Sequence, residues 1–479
     1  MLTTLPILRA QNEQKRFERQ RYDDSRTPIP AKNTKALEAE LRKRIQGEVR
    51  FDAGSRALYA TDGSNYRQVP IGVVVPCSTE DVIETVAAAR HCGAPVLARG
   101  GGTSLAGQCC NVAVVLDFTK YLHGVIRIDP AERLGMVQPG CVLDDLRAAA
   151  QEHGLTFGPD PATHTHNTLG GMLGNDSCGA HSLLCRKHGL GLRTADNTHE
   201  LEVLTYDGLR LRVGETTPDE LERIMHEGGP RGELYAKLKA FRDKYADEIR
   251  RRMPKISELP RRVSGYNLDS LLPENGFHVA RALAGPECTL VTILEATMIL
   301  VPNSKARSLL VLGYPDAYEA ADHLMEILPF QPTALEGLDH LLYEFVKQKG
   351  EKDADLKLLP PGQGFLMVDF SGDSKADSDE QARRCMEALK KGGKPPEMKL
   401  FDDPKQEKMI WKVREGGLGS TAWAPAGRTR GPGREERAES PRPCRRRPVR
   451  RHDAGRPPAG SARAADAGSD PGGVAGALA

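Results

Sequence analysis

The residues best suited to chemistry lie in one stretch, Ala98–Gly107, with the sequence ARGGGTSLAG. Gly100, Gly101 and Gly102 put no Cβ between the backbone and whatever lies against it. They also tolerate positive φ, so successive N–H groups can converge on one point. Thr103 and Ser104 add hydroxyl donors, and Arg99 adds a fixed positive charge. Together these are the makings of a cradle for a phosphate or pyrophosphate. The spacing is not G-x-G-x-x-G, and the Lys-Ser/Thr pair of a Walker A loop is missing. A tight glycine turn between two strands is the competing reading.

A second stretch, Phe157–Gly179 (FGPDPATHTHNTLGGMLGNDSCG), is dominated by glycine, small hydroxyls and amides, interrupted by Leu169, Met172 and Leu173. A surface loop of that length would carry more charge. Small residues broken by apolar ones suit backbone packed against a large flat ligand, with Asn167 and Thr168 as the polar groups facing it. A long glycine-rich connection over the surface is the alternative. His164 and His166 lack a carboxylate or third histidine at ligand spacing, so we expect rim imidazoles and no metal.

Regular elements must hold these two stretches in place. Ile71–Val75 reads as a buried strand. Ser78 caps a helix with Val82, Ile83, Val86 and Ala87 on one face, and Pro95–Ala98 is the next strand, delivering the glycine cradle at its end. Val112–Asp117 follows as a third strand. Hairpins are expected over 125–138 and 201–213, the latter turning at Asp207-Gly208. Before them Asn33–Glu48 has helical spacing, and Val142–His153 is an amphipathic helix. Thr289–Leu300 is a long apolar strand. From Ser304 the composition shifts to alternating elements: strands over 308–313, 333–336 and 364–369, and helices over 317–327, 338–347 and 380–389.

The 479 residues are enough for two to four domains, and the net charge of +2 gives no global argument for nucleic acid or an anionic membrane surface. Neither an export signal nor a membrane span is expected. The ten cysteines form no C-x-x-C and no zinc spacing, so they are expected to be reduced thiols in a cytoplasmic protein. Cys109 and Cys110, beside the cradle, are the pair with most scope for redox chemistry.

Six pieces in order resemble the FAD-binding domain of the vanillyl-alcohol-oxidase-type flavoproteins. They are VVVPCSTEDV (Val73–Val82), LARGGGTSLAGQ (Leu97–Gln108), VQPGCVLDDL (Val137–Leu146), the PDPAT…NTLGGMLGNDSCG stretch, RTADNTHELEVLTYDG (Arg193–Gly208) and GPECT…LEATMIL (Gly285–Leu300). The nearest look-alikes are the D-lactate dehydrogenase, glycolate oxidase and D-2-hydroxyglutarate dehydrogenase group, which LEGLDHLL (Leu335–Leu342) also resembles. The resemblance implies an α+β fold. Its parts are an N-terminal arm and helix (1–50), a two-subdomain FAD-binding domain (51–303), a partial α+β substrate or cap domain (304–420) and a disordered tail (421–479).

By the same resemblance, Arg99, Gly100, Gly101, Gly102, Thr103 and Ser104 bind the FAD pyrophosphate. Pro159, Asp160, Thr168, Gly170, Gly171 and Gly174 line the isoalloxazine and its attached chain, and Glu287 and Thr289 touch the nucleotide. Thr103 stands where covalent relatives carry histidine, so FAD is expected to be non-covalent. Glycine is usual where this chain has Cys288, which predicts backbone strain there. The implied reaction oxidises a D-2-hydroxy acid by hydride transfer to flavin and passes electrons to an unspecified quinone, cytochrome or flavoprotein. The inner membrane face is the alternative location to free cytoplasm. Arg261 and Arg262 are candidates for the substrate carboxylate, with surface ion pairs as their other reading. The family's histidine-glycine motif falls later than position 420 and has no counterpart, so no catalytic base is named. Longer relatives add an iron–sulfur domain whose cysteine clusters this chain does not show.

Two other readings stay open: another flavin-dependent alcohol, aldonolactone or nucleotide-sugar oxidoreductase, and a catalytically incomplete FAD-binding remnant. After Trp423 the sequence turns to Arg, Pro, Gly and Ala, with Leu478 its sole leucine. Such a stretch cannot build a core. Its abrupt start inside an apparent element suggests a reading-frame shift in GC-rich DNA in preference to a basic nucleic-acid-binding tail.

Overall fold

The computed structural model describes residues 31–348, 358–401 and 403–420; the expectations for 1–30 and for the tail fall outside them. The first layer is a four-stranded sheet in the order β1-β2-β4-β3. Its strands are β1 (Glu48–Arg50), β2 (Gly72–Val75), β3 (Val96–Arg99) and β4 (Val114–Asp117). β2 and β3 both run parallel to β4, and β1 is antiparallel to β2. The valine-rich runs of β2 and β4 are buried throughout, as strands covered on both faces must be.

Val74, Val114 and Leu116 meet the helices Ala31–Arg44 and Thr79–His91 on one side. On the other side Val73, Val75, Leu97 and Val115 pack together with Cys288 and Tyr59. The helix expected to run to Glu48 stops at Arg44, because Glu48–Arg50 is taken up as β1. Leu37, Leu41, Ile45 and Val49 sit in the same core as Val82 and Val86, so residues 31–50 are part of this unit and not an arm before it.

The second layer is an antiparallel sheet in the order β5-β6-β10-β8-β9, formed by Val125–Asp129, Leu134–Val137, Val291–Ile299, Thr198–Thr205 and Arg210–Val213. Both expected hairpins are present, the second closing with Gly208 at φ +91°. Helices Leu143–Gln151, Leu169–Asn175 and Pro218–Glu227 contribute to its core through Leu143, Leu146, Leu169, Met172, Leu173, Leu221 and Ile224. The short strand pair β7 (Leu155–Thr156) and β11 (Val301–Pro302) lies apart from that sheet.

The third unit is the antiparallel sheet β13-β14-β12-β15: Ala334–Asp339, Gly364–Gly372, Ala306–Tyr314 and Glu397–Phe401. β12 and β14 pair along their whole lengths, from Ala306↔Gly372 to Tyr314↔Gly364. Leu310, Leu312, Leu366, Val368 and Phe370 face one core with Ala382, Cys385 and Leu389 of the Lys375–Lys390 helix. Leu309, Val311 and Met367 face the other way, onto Ile410 and Trp411 of the helix Pro404–Ser420. The helix expected over 317–327 is two short ones, Ala317–Asp322 and Leu324–Ile327, parted at His323.

Candidate functional site

A cleft opens between the first two layers. Its walls include Arg99, Gly100, Ser104, Thr168, Gly170, Gly171, Gly174 and Glu287 from the sequence-derived set, joined by Asn175, Cys288 and Pro139. Gly101, Gly102, Thr103, Pro159, Asp160 and Thr289 are not on its lining. β3 delivers the glycine turn, and the turn is closed by Gly102 at φ +65°, whose carbonyl accepts the Gly63 N–H at 2.9 Å. The Arg99 guanidinium is committed to the wall itself. It donates to the carbonyls of Cys109 (2.9 Å), Thr61 (2.8 Å) and Tyr59 (3.3 Å), so it braces the turn against two neighbouring loops instead of standing free as an anion receptor.

The facing wall is the helix Leu169–Asn175, inside the stretch read as backbone packed against a flat ligand, for which no helix was expected. Three glycines make LGGMLGN a poor intrinsic helix former. Thr168 compensates as N-cap, its Oγ1 accepting the Gly171 N–H at 3.2 Å, and Leu169, Met172 and Leu173 anchor the inner face. All three glycines reach the cleft lining, but only position 174 points into open space. A Cβ at Gly100 would lie 2.0 Å from Thr168 Oγ1, and one at Gly170 would lie 2.8 Å from the Pro139 carbonyl oxygen. A Cβ at Gly174 meets nothing within 4 Å, so the space it would enter belongs to the cleft.

Asn167 is 5 % exposed, yet both its side-chain Nδ2 and Oδ1 are buried without a partner. A buried amide of this kind costs free energy unless something answers it. Asn167 lies beside the cleft and not on its lining; the walls themselves fit a flat ligand packed on bare glycine backbone, with the Ser104 hydroxyl and the Asn175 amide among their polar groups. A flavin dinucleotide is such a ligand.

The segment Pro286–Cys288 forms the third side. Glu287 N–H donates to Gly174 O at 3.0 Å, and Gln108 Nε2 donates to Glu287 Oε1 at 3.1 Å across the cleft. Thr289 Oγ1 is 2.6 Å from the Pro286 carbonyl and 2.8 Å from the Tyr266 hydroxyl, which holds it away from the cleft. Glu287 and Cys288 lie at φ +48° and +63°, the strain foreseen for a non-glycine residue at 288. Burial pushes the Cys288 thiol up to about 12, so it stays protonated, its Sγ 3.2 Å from the Ala98 carbonyl. Cys288→Gly is therefore expected to stabilise the protein by roughly 1 kcal/mol, read as a higher urea midpoint at unchanged slope. A lower midpoint would mean that thiol packing outweighs the strain.

Behind the cleft lies a buried polar knot. Arg193 is 3 % exposed, and its guanidinium donates to Asp176 (3.1 Å), Asn267 Oδ1 (2.6 Å) and Asp196 (2.7 Å). Asn267 Nδ2 in turn donates to Asp176 and to the Ala284 carbonyl. The expectation for Arg262 is corrected here. Its side chain is buried in this knot, bound to Asp269 at 2.7 Å and to the Pro254 carbonyl at 2.8 Å, and it faces neither solvent nor a substrate.

The second candidate region lies between the FAD-binding layers and the third unit, where a groove of about 1310 Å³ runs past Leu183, Arg261, Leu338 and Arg414. Arg261 is exposed and donates to the Gly179 carbonyl at 2.8 Å. Arg414, absent from the sequence-derived set, donates from Nη2 to Glu336 at 3.1 Å, while its Nε is buried with no partner. It was legible in principle, because with Ile410 and Val413 both buried, position 414 puts a cation beside the apolar face of a helix.

Asp160 lines neither the cleft nor the groove; it is buried where His181 meets the third unit. Its carboxylate takes His181 Nδ1 at 2.5 Å and lies 3.5 Å from Arg147. His164 bonds Asp144 at 2.8 Å and stands 3.5 Å from Glu415, whose carboxylate holds the imidazole above its ordinary range; it is on the lining of neither the cleft nor the groove.

The comparisons with known proteins agree with this layout. Residues 70–214 match the model of an FAD binding domain, and residues 303–434 match that of the C-terminal domain of FAD linked oxidases. A D-2-hydroxyglutarate dehydrogenase of Pseudomonas putida is 27 % identical over 362 residues, covering 74 % of this chain and 35 % of that protein. A glycolate oxidase subunit of Bacillus subtilis is 24 % identical, covering 79 % of this chain and 68 % of its own length. The chain thus spans about a third of the length of the D-2-hydroxyglutarate dehydrogenases it matches. Among solved structures, p-cresol methylhydroxylase with substrate bound superposes with a TM-score of 0.55 at 13 % identity, over 81 % of this chain and 72 % of the other. Alkyldihydroxyacetonephosphate synthase gives 0.53 at 18 % identity, over 81 % and 68 %. The chain thus has the vanillyl-alcohol-oxidase fold and carries an FAD binding domain followed by the C-terminal domain of FAD linked oxidases, and it is related to D-2-hydroxyglutarate dehydrogenase and glycolate oxidase.

Proposed function

We propose that this chain oxidises a D-2-hydroxy acid, of the D-2-hydroxyglutarate, D-lactate or glycolate type, with FAD held non-covalently in the glycine-walled cleft. The observation that carries the reading is Arg414: a half-buried guanidinium at the groove, with one N–H spent on Glu336 and the buried Nε unanswered. A carboxylate is the group that a guanidinium edge recognises best. Gly100, Ser104, Thr168, Gly170, Gly171 and Gly174 would hold the dinucleotide. Bound FAD would supply the two-electron acceptor for hydride leaving the hydroxyl-bearing carbon. Arg414, with Arg261 as another of the three arginines lining the groove, would fix the acid's carboxylate and so orient that carbon. The apolar wall from Leu183, Leu335 and Leu338 would keep water from the reacting atoms.

The test is anaerobic addition of D-2-hydroxyglutarate, D-lactate and glycolate in turn to the purified yellow protein. Bleaching of the flavin bands with one of them supports the proposal. Bands that persist with all three would leave an FAD-binding protein without this chemistry. Arg414→Met is expected to keep FAD and to raise KM for the hydroxy acid by about 10–100-fold, the worth of a charge-assisted hydrogen bond pair. An unchanged KM would take Arg414 out of the substrate site.

A further inference from the structure

One largely covered group, its side chain 21 % exposed, joins the two halves of the molecule and has no part in the scheme above. His181, just beyond the Gly179 turn, is held by a carboxylate on either side. Asp160 Oδ2 lies 2.5 Å from Nδ1 and also approaches Arg147, whereas Asp369 Oδ2 lies 3.0 Å from Nε2. Asp160 precedes the glycine helix, but Asp369 is the one acid in the apolar run of β14, 188 residues further on. The other Asp369 oxygen accepts the Trp411 indole N–H at 3.4 Å, and the Trp411 ring leans on the imidazole with centroids 4.7 Å apart. Trp411 lies one helical turn before Arg414.

We propose that His181 is a positioning residue, an imidazolium pin that fixes the helix carrying Trp411 and Arg414 at its working distance from the FAD-binding layers. Its part in substrate binding rests on the proposed function; its part in joining the two units does not. An imidazole bonded through both nitrogens to two carboxylates must donate from both, which only the protonated ring can do. Burial alone would push its pKa down, but the Asp160 charge and the bonds to both acids outweigh burial and hold it up to about 9. Around it stand Arg147 and Cys185 on the FAD side and Glu407 on the Pro404–Ser420 helix, with Lys187 reaching the Ser371 carbonyl two residues along β14. Losing the proton would leave two buried carboxylates facing a neutral ring. Because the folded-state pKa is raised, the pin's contribution is complete below the ordinary histidine range and is lost as pH rises through about 9.

The chain has two tryptophans, so a Trp423→Phe background leaves Trp411 as the reporter, and a charged imidazole in ring contact quenches its emission. Emission is expected to rise as pH passes about 9 and to stay flat in His181→Gln, with Asp369→Asn as a second variant should that one fail to fold. His181→Gln that retains FAD is also expected to raise KM about tenfold, with kcat changed far less, as a displaced binding group would. Emission flat through that range in the parent, or His181→Gln and Asp369→Asn with parental KM and pH profile, would overturn the proposal. If the parent oxidises none of the three acids, the emission titration still decides the pin, and the failure belongs to the proposed function.

Discussion

Gly174→Ala is expected to yield a protein that folds at least as well as the parent and carries no flavin. The two halves of that outcome have separate causes. Residue 174 lies inside the helix Leu169–Asn175, and alanine there is favoured over glycine by about 0.5–1 kcal/mol on propensity alone. The new methyl would touch no protein atom within 4 Å and does not require a positive φ, so no strain offsets the gain. The same methyl projects into the cleft between the glycine turn and Pro286–Cys288, where a ligand packed on bare backbone has no room for it. Overlap with a rigid ring cannot be relieved by a side-chain rotation, so loss of FAD affinity should exceed about 100-fold. The check is flavin absorbance per chain alongside thermal melting of the apo proteins. A yellow Gly174→Ala protein would move the cofactor off this wall. A colourless and destabilised one would mean that the helix cannot take a side chain for internal reasons.

Position 174 also shows how far sequence reasoning reached. The glycine turn could be read because its chemistry is local: three glycines at a strand end, then two hydroxyls. β2, β4, both hairpins and β10 could be read because burial and alternation are written into consecutive residues. The helix Leu169–Asn175 could not be read from its glycine-rich composition; Thr168 capping it and the core beneath Leu169, Met172 and Leu173 make it one. The order β1-β2-β4-β3 and the capture of Glu48–Arg50 as an edge strand depend on partners far along the chain. So does the His181 pin: an acid amid the apolar residues of β14 is odd by itself, but nothing local points to a histidine 188 residues earlier. Arg99, by its place in the glycine stretch and by resemblance, and Arg262, by its charge, read as cations available to anions. In the folded chain their N–H groups are committed to carbonyls and to Asp269, a matter of what surrounds them and not of what they are.

The largest stability effect is expected at Arg193, in the polar knot behind the cleft. Arg193→Ala removes the guanidinium that answers Asp176, Asp196 and Asn267 at once, and leaves Asp176 fully buried and charged with only the Asn267 amide and the Ala195 N–H facing it. Breaking such a pair from one side costs about 3–5 kcal/mol, far more than the intact pair contributes over an apolar replacement. In a unit of this size that corresponds to a fall in Tm of roughly 6–20 °C. The loss should also reach the cofactor. Asp176 sits at φ +51°, directly after the glycine helix, and Asn267 ties it to Ala284, just ahead of the Gly285 N–H that bonds the Leu173 carbonyl. The knot thus holds two walls of the cleft together from behind. Saturating FAD should recover part of the lost Tm, because a ligand that binds only the folded form adds stability by mass action. Asp176→Asn in the Arg193→Ala background should recover another part without any ligand, by removing the stranded charge. If Arg193→Ala melts within a degree or two of the parent, the knot is a by-product of packing and not what keeps the cleft in shape.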